Sequence, residues 1–301
     1  MSNWSRYITE FVSYLKIEKG LSPNSILAYQ DDVNKLTSYC CEQELNVKDI
    51  EYQHLKLFIT ELYDLGLSAR SQARIISGIK QFFSYLILEN LITLDPSEML
   101  EQPKIGRKLP EVLSIVEIDG LISAVNLSSK EGQRNRAILE ALYSCGLRVS
   151  ELINLKFTDL FYDEGFVRVV GKGNKERLVP LSKTVEIEID AYKNNDRAKL
   201  EIKPGHENYI FLNRRGKQLT RVMIFIIVKD LAQRIQLQKV ISPHTFRHSF
   251  ATHLIEGGAN LRAIQDMLGH ESIITTEIYT HLDQSFLKDA ILSFHPRNAI
   301  D

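Results

Sequence analysis

Four short segments of this 301-residue chain hold side chains suited to binding a phosphate and moving protons around it. In CGLRVSEL, Arg148 follows a glycine break and Glu151 stands three residues on. That spacing on a helix brings both to one face, where a carboxylate can orient a guanidinium. In GKGNKER, Lys172 lies between two glycines, which let the backbone approach a ligand and leave the lysine free to swing onto it. The spacing is not a Walker A loop, which needs GxxxxGK followed by Ser or Thr. In SPHTFRHSFATHL, Ser242 and Pro243 open a helix, and His244 and Arg247 share a face near its N-terminus, an end that favours anions. In MLGHESIITTEIYTHLD, His270 follows Gly269 and Tyr279 comes nine residues later.

Each segment taken alone also has a structural reading. Arg148 and Glu151 could form an ordinary ion pair, Lys172 could be solvated in a turn, and Tyr279 could fill a core. A metal reading of His244, His248 and His253 is disfavoured, because an HExxH site needs an acid after its first histidine and Thr245 stands there. His248 and His253 read instead as packing or surface residues. Together, two arginines, a lysine, two histidines and a tyrosine make the parts list for phosphodiester transesterification. The reaction needs charge stabilised on the non-bridging oxygens, a nucleophile, and a proton for the leaving oxygen. Arginine forks suit the first task. No carboxylate cluster suited to two Mg²⁺ ions stands beside them, so a two-metal nuclease is disfavoured and neither metal nor cofactor is expected.

The elements that must position these residues read as mainly helical. Ser22 with Pro23 caps a helix carrying Ile26, Tyr29, Val33 and Leu36; Leu55, Phe58, Ile59 and Leu62 mark the next. Ser68 caps a longer one, with Ile75, Ile79, Phe82, Phe83 and Leu86 in one stripe and Arg70, Arg74 and Gln81 away from it. Residues 101–114, with two prolines, a glycine and no apolar period, read as an interdomain linker. Beyond it, Ala137 to Leu155 reads as helix, break at Gly146, then helix. Phe166 to Val170 and Leu178 to Leu181 flank a basic turn as a hairpin. Helices follow over Arg221 to Arg234, His244 to Glu256 and Leu261 to Leu268, and Phe286, Leu287, Ala290, Ile291 and Phe294 form a final apolar stripe.

Composition sets outer bounds. The net charge of -1 does not announce a nucleic-acid binder, so any DNA contact must come from local clusters. Cys40, Cys41 and Cys145 form neither a disulfide framework nor a CxxC pattern, which fits a reducing cytoplasm. No window approaches the roughly 18 apolar residues of a membrane span, so no membrane association is expected.

The segments GLSPNSILAYQDDV, GLRVSELINL, GKGNKERLVPL, SPHTFRHSFATHLIEGGANLRAIQDMLGHESIITTEIYTHLD and the terminal HPR resemble the tyrosine recombinases of the lambda-integrase superfamily. Within it they resemble the bacterial Xer recombinases of chromosome dimer resolution. The resemblance implies a two-domain clamp. A helical, SAM-like core-binding domain would span residues 1–103, a linker 104–113, and a mostly helical catalytic domain with a small antiparallel sheet 114–301. It implies that Arg148 and Arg247 clamp the scissile phosphate, with Glu151 supporting an arginine. Lys172 would protonate the leaving 5′ oxygen, His244 would act as acid or base near the nucleophile, and His270 would hydrogen-bond the phosphate. Tyr279 would attack, leaving a 3′-phosphotyrosine. Arg70, Arg74, Gln81, Lys175, Arg177, Arg214, Arg215 and Arg221 become candidate DNA contacts, Lys217 joining the cluster at 214–221. The implied partners are a double-stranded recombination site, a tetramer of one or two related recombinases acting through a Holliday junction, and an activating DNA translocase. The final stripe would dock onto a neighbouring protomer. The competing readings are an integrase of a mobile element, a type IB topoisomerase and a non-catalytic DNA-binding module.

Overall fold

The computed structural model describes residues 3–106, 111–269 and 281–298, and the chain divides into two compact units, Met1–Lys108 and Leu109–Asp301. The first contains α1 (Asn3–Ile17), α2 (Pro23–Glu42), α3 (Tyr52–Asp64) and α4 (Ala69–Leu88). Ser22 and Ser68 cap α2 and α4 as their positions predict, each side-chain oxygen accepting from the backbone N–H three residues on. The stripe of α4 enters a core with Trp4, Phe11, Leu15, Val33, Leu36, Leu55 and Phe58. Arg74, expected to face DNA, also reaches inward: its guanidinium lies 2.6 Å from Asp32, a carboxylate only 1% exposed. Arg70 is exposed and Gln81 half-buried.

The second unit runs α5 (Ile115–Ser123), α6 (Gly132–Ser144), α7 (Val149–Asn154), β1 (Leu160–Phe161), β2 (Phe166–Val170), β3 (Glu176–Pro180), α8 (Lys183–Asn194), α9 (Arg221–Arg234), α10 (Pro243–Gly257), α11 (Leu261–Leu268) and α12 (His281–Phe294). The three strands form one antiparallel sheet in chain order, with Val169 opposite Arg177. From Ala137 to Ser144 every residue of α6 is buried, as for a helix packed on all sides. Val112 and Leu113, read from sequence as linker, are tied into this unit. Lys239 Nζ donates to the Val112 carbonyl at 2.8 Å, and the Leu113 N–H donates to Ser249 Oγ at 2.8 Å.

The final apolar stripe packs at home. Leu287, Ala290 and Ile291 lie in the same core as Phe246, Phe250 and Leu254. Three of the five residues expected to dock onto a neighbouring protomer are thus covered within this chain, while Phe286 and Phe294 are exposed. Just beyond it, Arg297 donates to Asp119 at 2.6 Å and to Glu140 at 3.1 Å, pinning the chain's end to α5 and α6.

The break foreseen at Gly146 has a steric cause. Its φ is +56°, and an added Cβ would lie 2.5 Å from Cδ1 of Phe250. Only glycine accommodates both the left-handed backbone and that ring. Gly146→Ala is therefore expected to lower stability by about 2–4 kcal/mol, from backbone strain plus overpacking. Chemical denaturation checks this; a loss under about 0.5 kcal/mol contradicts it.

Candidate active site

The site begins where α6 stops. After Gly146 the chain turns, and Arg148 becomes the N-cap of α7 with an extended backbone (φ -71°, ψ 149°). The three-residue spacing to Glu151 thus works differently from a shared helical face. The Arg148 N–H donates to Glu151 Oε2 at 2.8 Å, so the carboxylate caps the start of α7, while Arg148 Nη1 donates to Oε1 at 2.8 Å. A third of the Arg148 side chain remains exposed.

Glu151 is 3% exposed and gathers two more guanidiniums. Arg177, on β3, takes one nitrogen to each carboxylate oxygen, Nη1 to Oε1 and Nη2 to Oε2, both at 2.8 Å. Arg247, on α10, places Nη1 3.8 Å from Oε2 and donates it to the Gly146 carbonyl at 2.8 Å. Burial alone would raise the Glu151 carboxyl, but the hydrogen bonds and charge of Arg177, then those of Arg148, outweigh it and hold the group below the ordinary carboxylate range. Arg247 responds in the opposite sense. Burial, and then the charge of Arg148, bring it down to about 9 despite Glu151. Three cations around one anion are therefore under-compensated, the condition that favours a further anion.

His244 is the second residue of α10, one turn before Arg247. Burial first, then the charges of Arg247, His248 and Arg148, lower its pKa from the ordinary 6.5, with Glu151 acting the other way. The ring is thus neutral at neutral pH, able to accept a proton. Lys172 opens the turn Lys172–Asn174 that joins β2 to β3. His270 and Tyr279 lie outside the described residues. The structure brings Arg148, Glu151 and Arg247 together, with His244 close enough to feel all three charges.

Arg177 departs from its expected place. Read as a DNA contact, it is 6% exposed, with Nε donating to the Met267 carbonyl at 2.7 Å besides its two bonds to Glu151. A sequence signal for this exists. Along β3 the alternation sets Arg177 on the inward side with Val179, whereas Glu176 and Leu178 are half-buried. The remaining DNA-contact candidates of this unit, Lys175, Arg214, Arg215 and Arg221, are exposed, as is Lys217; Arg214 pairs with Glu131 at 2.6 Å. His253 is buried and shares a 2.8 Å hydrogen bond with the Tyr143 hydroxyl, a packing role, while His248 is exposed. Among the described residues no three His, Cys, Asp or Glu side chains cluster to hold a metal, and no helix is long and apolar enough to cross a membrane.

Residues 111–285 match the phage integrase family, and residues 8–90 match the N-terminal SAM-like domain of phage integrases. Tyrosine recombinase XerD of Staphylococcus haemolyticus is 43% identical over 96% of this chain and 98% of its own length. The protein of the same name from Chlorobaculum tepidum is 43% identical over 98% and 97%. Among solved structures, the XerH site-specific recombinase bound to a palindromic difH substrate, a post-cleavage complex, is 25% identical. It covers 95% of this chain and 84% of that one with a TM-score of 0.68. Matches of this length and identity, reaching across both units, show that the chain belongs to the phage integrase family as a Xer-type site-specific tyrosine recombinase.

Proposed function

We propose that this recombinase cleaves and rejoins a dif-like DNA site through a covalent bond from Tyr279 to the scissile phosphate, resolving chromosome dimers during cell division. The observation that carries the reading is the arginine cluster on Glu151. Among the described residues, the ion pairs of Arg148, Arg177 and Arg247 all run to that one carboxylate, and a phosphodiester supplies the missing negative charge. Arg148 and Arg247 bind the non-bridging oxygens. Tyr279 Oη attacks phosphorus, with His244 accepting the phenolic proton and His270 hydrogen-bonding the phosphate. The bond to the 5′ oxygen breaks, and Lys172 protonates that oxygen. The phosphotyrosine conserves the energy of the broken phosphodiester, so a 5′ hydroxyl from another strand reverses the step without ATP.

Arg70, Arg74 and Gln81 in the first unit, and Lys175, Arg214, Arg215 and Arg221 in the second, contact the DNA in this reading. Strand exchange between two sites calls for a tetramer of this chain, alone or with a related recombinase, in the cytoplasm, with a DNA translocase as the activating partner. The XerH complex with difH DNA supports the DNA assignment.

Tyr279→Phe is expected to abolish covalent adducts on a nicked suicide substrate while leaving DNA affinity within about threefold, since only the nucleophile is lost. An adduct surviving in the variant contradicts the role of Tyr279. The lowered pKa of His244 sets a pH dependence. Its neutral form is lost only as pH falls through a value below 6.5. Cleavage at subsaturating DNA, which reports the free enzyme, should have an acid limb with its midpoint below 6.5. His244→Asn should remove that limb and slow cleavage by about 100-fold or more. An unchanged limb in the variant rules His244 out as its source.

A further inference from the structure

Three guanidiniums converge not only on Glu151 but also on the end of α11. Arg177 Nε donates to the Met267 carbonyl at 2.7 Å, Arg247 Nη2 to the Leu268 carbonyl, and Arg148 Nη2 to the Gly269 carbonyl at 3.4 Å. The last carbonyls of a helix lack partners within the helix and carry its negative dipole end, so cations there are favoured. Three successive residues, immediately before the segment that holds His270 and Tyr279, are thereby fastened to the arginine cluster. Gly269 ends the helix at φ +62°, and a Cβ there would lie 3.1 Å from Cδ of Arg177. The chain's exit from α11 is shaped around that side chain.

Arg177 alone of the three has every nitrogen engaged inward, Nε on Met267 and both Nη on Glu151, and it is nearly fully covered. It also sits at the base of the turn that holds Lys172. The Gly171 N–H closes that turn on the Lys175 carbonyl at 2.8 Å. A Cβ at Gly171 would stand 3.7 Å from both Arg177 Nη1 and Glu151 Oε1, so the ion pair lies beside the first residue of the turn. One guanidinium therefore bonds the carboxylate that orients Arg148 and the Met267 carbonyl before the nucleophile's segment, and it belongs to the strand that the Lys172 turn leads into.

We propose that Arg177 is a positioning residue of the cleavage reaction, joining the Arg148 clamp, the Lys172 turn and the Met267–Gly269 exit into one unit without touching DNA itself. The bidentate fork is what this requires, because a lysine ammonium supplies the charge but not the three fixed directions. The inference rests on the reading of Tyr279 as nucleophile and of Arg148, Arg247 and Lys172 as the groups around the phosphate.

The test uses the full-length chain and a nicked suicide duplex carrying the dif-like site of its own genome. Arg177→Met and Arg177→Lys are compared with wild type in DNA affinity, salt dependence of affinity, single-turnover adduct formation and thermal melting. Both variants are expected to bind DNA within about threefold of wild type with an unchanged salt slope, and to form adduct about 100-fold more slowly at a temperature where both remain folded. Wild-type cleavage rates in Arg177→Met overturn the proposal. Rescue by Arg177→Lys overturns the requirement for the fork. A weakened affinity with a shallower salt slope overturns it in favour of a phosphate contact, and failure of both variants to fold overturns it in favour of a purely structural brace. Absence of any wild-type adduct that Tyr279→Phe removes would instead indict the underlying reading of the site.

Discussion

Glu151 holds a carboxylate almost out of solvent at the start of α7, and the catalytic half of the chain is arranged around that charge. Burying an ion costs several kcal/mol, recovered only when its lone pairs are filled with good geometry. Here four hydrogen bonds of 2.8 Å fill them, one from backbone and three from guanidiniums. Such a cluster is weak evidence for stability but strong evidence for position. Loss of Glu151 leaves the buried guanidiniums of Arg177 and Arg247 without their counter-charge, so that one residue sets the positions of the others. Four elements distant in sequence meet there: α7 through Arg148, β3 through Arg177, α10 through Arg247 and α11 through its terminal carbonyls.

The charge count explains why the arrangement suits phosphate. One carboxylate keeps three guanidiniums in place without neutralising them, and burial followed by the charge of Arg148 lowers the pKa of Arg247 despite Glu151. The helix end contributes partial negative charge through Met267, Leu268 and Gly269, enough to hold the arginines while leaving the partly exposed face of Arg148 open. Burial first, and then the same positive charges, lower the pKa of His244, so the surroundings that suit a phosphodiester also favour a neutral imidazole.

Much of this was legible in the sequence where one period dominates. The bounds of α9 and α11 follow from uninterrupted helical spacing, and the caps of α2 and α4 from Ser22 and Ser68. The start of α6 was missed because its first residues, GQRNR, are polar, yet Arg134 is buried there and donates to the Leu212 carbonyl at 3.0 Å. Nor was α8 foreseen. Its run Val185, Ile187, Ile189 alternates like a strand, although only Val185 and Ile189, four apart, are buried. The final stripe was visible, but whether it covers its own core or a neighbour's depends on contacts far away in sequence. Arg148, Glu151, His244 and Arg247 were singled out from types and spacing. Arg177 was misplaced because a cation in a basic turn resembles a phosphate contact unless the strand's alternation is followed through it.

The charge at Glu151, rather than its shape, holds the arginines in place. Glu151→Gln keeps the shape and removes the charge, so single-turnover cleavage of a nicked duplex by that variant is the most direct measurement. Cleavage should slow by tenfold or more, in the range of about 10–100-fold for loss of a supporting residue, while DNA affinity stays the same or tightens because a negative charge has left the cluster. Wild-type cleavage by Glu151→Gln would contradict the claim that one buried carboxylate sets the arginines for the phosphate.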